Sequence, residues 1–409
     1  MQAIDHVKNY QSVLKDFDVT VETVERFIDH VKNYQSVLKG VVAMASYHLK
    51  RNRGISFRHP LILVLLLAFV GLLGACSASS TAEPSHPSGS TPTSTPTKKL
   101  KGMITEFSVS TPNNQLGDIT AGPDGAAWFT ELIPNAQNGS VTITGKIERI
   151  TPAGHISEFP LSSNSYARGI TAGPDGNLWF TEPGKIGRIT PAGHISEFSL
   201  SSNSFANDIT TGPDGAVWFT EIIPNLQSGN IAGKIGRITP AGHISEFPVP
   251  TRSNLLGITT GPDGNLWFTE LQSGKIGRIT PSGMISEFPL PSGSQPSSIT
   301  TGPDNALWFT EVVSTANTKE QSGKIGRITP TGTISEFPLP PNSSSNDITT
   351  GPDGNLWFTE PSKIGRITPT GTISEFPLPT SDSNSAFITT GPDGALWFTE
   401  RSSRIGRLA

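Results

Sequence analysis

The chain has 409 residues, a formal charge of −4 and only 16% charged residues. No basic domain stands out, which excludes nucleic acid as an expected partner. The single cysteine, Cys76, excludes an internal disulfide, and 42 Gly with 34 Pro point away from helices toward many short strands joined by tight turns.

The chain opens with a duplication. IDHVKNYQSVLK occurs at residues 4–15 and again at 28–39. The unbroken apolar run LILVLLLAFVGLL follows only at 61–73, preceded by Lys50, Arg51, Arg53 and Arg58 and followed by GACSASS. Basic, apolar and small-residue stretches in that order read as a secretory signal, and the run is short for a bilayer-spanning helix. The expected translation start is therefore near Met44, with residues 1–43 outside the exported protein and 44–75 as signal peptide. Leu73-Gly74-Ala75-Cys76 resembles a bacterial lipobox, which implies cleavage before Cys76 and lipidation of that cysteine. Residues 76–103, rich in Ser, Thr and Pro, read as an extended tether. These segments together predict an extracytoplasmic lipoprotein held to a bacterial cell membrane.

From residue 104 the sequence repeats. GPDGNLWFTE occurs three times and four near-copies accompany it, ending at Glu131, Glu182, Glu221, Glu270, Glu311, Glu360 and Glu400. Consecutive Trp positions are 51, 39, 49, 41, 49 and 40 residues apart, a period that points to a solenoid or propeller. In the fourth copy LGITTGP (256–262), NLWFTE (265–270), KIGRIT (275–280) and MISEFPLP (284–291) read as four antiparallel strands with Pro/Gly turns between them. Ile276 and Ile279 are out of step for strict alternation, so a local bulge is expected at Gly277. The fourth-strand phrase appears once before any Trp, at residues 104–109, and the chain ends at RIGRLA, a third strand with no fourth. The prediction is an all-β, monomeric seven-bladed propeller over 104–409, closed by strand 104–109 in the last blade, with no open sheet edge.

Function belongs where the repeats differ. The turns GPDG and TPxG hardly vary and lie on one face. On the other face, the links between strands two and three have 14, 2, 12, 4, 12, 2 and 3 residues. Long loops are thus expected in blades one, three and five, on the face suited to binding. The residues entering strand one line the channel mouth there: Gly117-Asp118, Arg168-Gly169, Asn207-Asp208, Leu256-Gly257, Ser297-Ser298, Asn346-Asp347 and Ala386-Phe387. Asp118, Arg168, Asn207, Asp208, Asn346 and Asp347 form the candidate ligand-binding set for a small molecule, peptide or glycan. The competing reading is that they only cap strand starts. Each phrase-ending Glu faces Lys146, Lys185, Lys234, Lys275, Lys324, Lys363 or Arg404 across a hairpin. Ion pairing is expected there, rather than a ring of free carboxylates.

GPDGNLWFTE, KIGRIT and ISEFPLP, in that order and seven times over, resemble the virginiamycin B lyase (streptogramin lyase) family. The resemblance implies a seven-bladed propeller and a magnesium-dependent elimination that opens a cyclic depsipeptide. It also implies a His at the sixth blade entry, a Glu and a His at the seventh, and a Glu after the seventh Trp strand. Here those positions hold Asn346, Asn384, Ala386 and Arg401. The folded region has only His155, His194 and His243, all in TPAG turns on the opposite face. The expectation is a binding or scaffolding propeller without the family's catalytic set and with no cofactor assigned; the alternative is a magnesium-dependent carbon–oxygen lyase with a rearranged site.

Overall fold

The computed structural model describes residues 102–409, apart from 112–113, 138–139, 202–203, 226–229, 315–320, 342 and 381–382. The signal, lipobox Cys76 and tether fall outside the described residues. Within them the chain forms seven four-stranded antiparallel sheets and no helix. Blade four comprises Leu255–Thr260, Leu266–Glu270, Lys275–Ile279 and Ile285–Pro289, paired in chain order. The last blade takes its outer strand from the start of the propeller: Ile104–Ser108 pairs with Arg404–Leu408, Ile104 opposite Leu408 and Ser108 opposite Arg404. Thr380 reinforces this closure by donating from its hydroxyl to Glu106 at 2.7 Å.

Strand two is buried at every position, as in LWFTE of blade four, because each blade is covered on both sides. Leu266 and Phe268 pack with Trp218 and Ile235 of blade three. Trp267 and Ile276 pack with Leu307 and Phe309 of blade five. The ring closes in the same way, with Trp397 and Ile405 of blade seven against Phe129 and Leu116 of blade one. This answers the broken alternation of strand three. Ile276 and Ile279 face different neighbouring blades, and pairing through Gly277 is regular on both sides, so the bulge expected there is absent. Gly277 is instead required by space: a Cβ on it would lie 2.1 Å from the Phe268 ring.

The bulges lie in strand one. In blade three the register shifts between Ala206 and Ile209, so Asn207-Asp208 oppose a single residue, Thr220. The same shift occurs at Leu116/Ile119, Leu255/Ile258, Pro296/Ile299 and Ser385/Ile388.

The long loops expected in blades one, three and five are in fact continuations of strands two and three. They form hairpins built on Ala127–Gln137 with Ser140–Ile150, Val217–Asn225 with Asn230–Ile238, and Leu307–Ser314 with Gln321–Ile328. Their Ile/Val-rich flanks have the pairing partners and β-branched content that extend a strand.

Candidate functional site at the strand-one entries

The bulges place pairs of residues at the innermost strand, where the seven blades converge. A threonine of strand two organises each pair. Thr220 accepts from the Asp208 N–H at 3.1 Å and donates to the Leu256 carbonyl of the next blade at 2.7 Å. Thr181, Thr269, Thr310 and Thr359 repeat this double contact, and all are fully buried. The invariant Thr of WFTE thus satisfies the bulge amide and stitches one blade to the next.

The candidate aspartates do the same work. Asp118 accepts from its own Ile119 N–H and from Ile170 of blade two, both at 2.8 Å. Asp208 accepts from Ile209 and from Ile258 of blade four at 2.8 Å. Asp347 accepts from Ile388 of blade seven at 2.8 Å and from the Ser298 hydroxyl of blade five. Glycine at some entries lets the following blade come close: a Cβ on Gly169 would sit 2.9 Å from the Asn207 carbonyl, and one on Gly257 would sit 2.8 Å from the Ser297 carbonyl. Burial raises Asp118 well above the usual carboxylate range, aided by the charges of Asp208 and Asp347. Burial likewise pushes Asp208 to about 7 and Asp347 to about 6, against their backbone hydrogen bonds.

Asn207 donates to the Leu255 carbonyl at 2.7 Å, and Asn346 donates to the Ser385 carbonyl at 3.1 Å. Arg168 is exposed; its Nη1 donates to Asn207 Oδ1 at 3.1 Å, and its guanidinium lies 5.8 Å from the Tyr166 ring centroid. Of the six sequence candidates, five therefore hold neighbouring blades together, and Arg168 alone presents its head group outward. Phe387, 37% exposed, completes the seventh entry.

The phrase-ending glutamates are a correction. They stand opposite the expected Lys or Arg in register, yet only Glu131 forms the ion pair, with Lys146 at 3.3 Å. The lysines turn to the Glu of ISEF in strand four: Lys185 to Glu197, Lys275 to Glu287 and Lys363 to Glu375 at 2.6 to 2.7 Å, with Lys234 and Lys324 alike. That second acid, nearer the surface, offers pairing at a smaller desolvation penalty. The strand-two glutamates are left at 0–2% exposure. Burial outweighs the facing Lys or Arg and pushes Glu270, Glu311 and Glu400 to about 7, and raises Glu182, Glu221 and Glu360. Some meet a serine from the entry link or the following turn: Ser165 donates to Glu182, and Ser273 donates to Glu270 at 2.9 Å.

Blade one departs further. Its third strand reads KIERI, and Glu148 occupies the place of the glycine in the other six. Glu148 is fully buried, and neither carboxylate oxygen has a hydrogen-bond donor. Burial, then the adjoining Glu131, raises it to about 9.

On the opposite face the residues are closed among themselves. Asp214 accepts from Trp218 Nε1 at 2.9 Å and pairs with Arg237 at 2.6 Å; that guanidinium lies 5.8 Å from the Trp218 ring centroid. The hydrogen bond and the ion pair recur in all seven blades. The spacing D-x-x-x-W carries this signal in the sequence. His155, His194 and His243 are exposed in the turns of this face. A cleft lies between the outer edges of blades five and six, lined by Pro338, Leu339, Pro340, Ile373, Ser374 and Glu375.

Magnesium does not fit the entry face. Asp118, Asp208 and Asp347 are committed to backbone amides, and among the described residues no three His, Cys, Asp or Glu side chains converge as a metal requires.

Fold and site together define a seven-bladed propeller whose differences are gathered at one mouth. The sequence pattern of the virginiamycin B lyase family matches residues 96–316 and 315–409, so the chain belongs to that family. Solved structures agree. Selenomethionine virginiamycin B lyase from Staphylococcus aureus is 38% identical over 75% of this chain and 99% of that one, with a TM-score of 0.63. A catalytically inactive histidine-to-alanine variant of that enzyme, solved with quinupristin, is 39% identical over 75% and 99%, with a TM-score of 0.65. A streptogramin B lyase is 36% identical over 75% and 97%, at 0.63. Among curated proteins no match is found.

Proposed function

We propose that the chain is a membrane-anchored, virginiamycin B lyase-like propeller that binds a ligand at its entry face and does not open streptogramins. One observation carries this reading. The S. aureus lyase is inactive when one histidine becomes alanine, and here every histidine of the propeller sits in a TPAG turn on the opposite face. Elimination beside a carbonyl needs a base that works near neutral pH, and histidine meets that need without tuning. The family positions hold Asn346, Asn384, Ala386 and Arg401, and Arg401 brings positive charge where the resemblance implies a carboxylate.

The competing lyase reading gains one point from the structure: Glu400 and Glu270, at about 7, have the acidity of a base. Both are fully buried, however, and out of reach of a substrate. The test is turnover of virginiamycin B with and without magnesium, beside an authentic lyase. No activity above background is expected; activity within about tenfold of the reference would overturn the binding reading. Anchoring rests on Leu73-Gly74-Ala75-Cys76, and Cys76→Ser should move the protein out of the membrane fraction or block its processing.

A further inference from the structure

The described arginines outside strand three are Arg168, Arg252 and Arg401. All are exposed and all lie on the entry face. The basic residues of strand three are matched to carboxylates, as Lys275 is to Glu287 and Arg237 to Asp214; these three have no ion pair among the described residues.

Arg168 alone is also held in place. Asn207, 9% exposed, is fixed by donating its amide to the Leu255 carbonyl, which turns its oxygen toward the guanidinium. The Arg168 guanidinium also stands 5.8 Å from the Tyr166 ring centroid. An arginine with fixed orientation, free donors and no counter-charge is suited to an oxyanion.

Its surroundings are apolar. Blade two has only Pro183-Gly184 between strands two and three, while blades one and three carry hairpins on either side. In the first hairpin Leu132 pairs with Gly145 and Pro134 with Ile143, so the four share one face. That face points at blade two, since a Cβ on Gly145 would lie 2.7 Å from Tyr166 Cα. In the third-blade hairpin the face carrying Gly233 points at Leu255 of blade four. Its other face, with Ile223 opposite Ala232, is therefore the one turned toward blade two. Leu132, Pro134, Ile143 and Ile223 are only partly buried.

The geometry points to a cleft over blade two that takes a small anionic amphiphile, its carboxylate, sulfonate or phosphate on Arg168 and its apolar body between the two hairpins. This rests on the binding reading of the entry face and narrows it to one ligand chemistry.

The experiment titrates the full chain with anilinonaphthalene sulfonate and with its uncharged analogue phenylnaphthylamine, following probe fluorescence. The expected result is binding of both. Arg168→Gln should weaken the sulfonate about tenfold, the loss of a charged hydrogen bond, and leave the uncharged probe unchanged. Arg168→Lys should retain part of the sulfonate affinity, and Leu132→Asp should weaken both probes. Arg252→Ala should alter neither. Equal sulfonate affinity in wild type and Arg168→Gln, with thermal midpoints alike, overturns the assignment of Arg168. Binding of the uncharged probe alone sinks the anion inference and leaves the binding reading standing. Binding of neither probe sinks both.

Discussion

The two faces of the disc are built on opposite rules. On the turn face each blade closes Asp, Trp and Arg on one another, as Asp214, Trp218 and Arg237 do. On the entry face each blade reaches into the next, as Asp208 does to Ile258 and Asn207 to Leu255. The first arrangement makes its ion pair and its Trp contact within one repeat, so these can be copied from blade to blade. The second joins unlike neighbours, so its residues vary around the ring: Asp next to Gly, Ser next to Asp, Asp next to Phe. Repetition thus marks contacts that every blade makes alike, and variation marks contacts between unlike entries, only some of which are left over for a ligand.

The largest effect should come from the repeated interior. Trp267→Ala empties a buried site between blades four and five and should lower stability by about 3–5 kcal/mol in urea unfolding. Trp357→Ala should match it closely, because the packing is equivalent. Phe387→Ala, at the mouth, should stay within about 0.5 kcal/mol. Equal losses at both places would break the distinction between the faces.

Next in size is Asp214→Ala. It leaves the buried Trp218 N–H without its acceptor and Arg237 without its partner, and about 1–3 kcal/mol should be lost. Burial alone would raise this carboxyl, but the Trp218 and Arg237 contacts outweigh it and hold the group below its usual range. Its contribution is therefore present above about pH 4 and fades in acid. The strand-two glutamates have the opposite sign. Glu270, Glu311 and Glu400 titrate near 7 in the fold against a reference value of 4.5, so the protonated form is favoured by folding. Their contribution is complete below about pH 4.5 and is lost as pH rises toward 7. Melting temperature should peak near pH 5 and fall by several degrees by pH 8. Glu400→Gln should flatten that fall measurably; an unchanged slope would show that these carboxyls are ionised in the fold without penalty.

The blade count, strand order and ring closure were legible because they rest on periodic apolar residues and on the displaced phrase at 104–109. The turn-face cluster could be read in part, since Asp and Trp keep a fixed spacing within one loop. The fate of the glutamates was hidden. Strand pairing places Glu270 opposite Lys275, but a long lysine chooses among several acids by desolvation, and Glu287 on the adjacent strand wins. The entry residues are legible as a group, but the sequence leaves open whether they bind a ligand or only cap strand starts. Each aspartate is bound by backbone amides of another blade, and backbone amides leave no mark on a sequence. The hairpins read as loops in the sequence because their Pro, Asn and Gly content masks the flanking Ile and Val that pair.

A gain in stability is expected where repetition fails inside the repeated interior itself. Six blades have glycine in the middle of strand three, and the Phe of strand two lies over it, as Phe268 does over Gly277. Blade one instead buries Glu148 against Glu131, with Lys146 at 3.3 Å from Glu131 as the nearby cation. Two carboxyls thus adjoin one ammonium group, and Glu148 stays protonated to about pH 9 while Glu131 is held below its usual range by its contacts with Glu148, Asn114 and Lys146 despite burial. Protonation avoids a buried charge but leaves carboxyl oxygens with no donor. Glu148→Gly restores the pattern of the other blades. It removes the buried carboxyl, leaves Glu131 to Lys146 and Asn114, and lets Phe129 settle over the glycine. Set against this is the backbone freedom that glycine gives the unfolded chain, about 0.5–1 kcal/mol relative to alanine. The net should be a gain of about 1 kcal/mol at pH 7 that grows as pH rises toward 9 and levels off above it, where Glu148 is ionised in both the folded and the unfolded wild type. Urea unfolding of the two proteins at pH 7 and pH 9.5 measures both quantities. A loss of stability at pH 7, or a difference that does not grow with pH, would mean that Glu148 supports blade one in a way the other six blades do without.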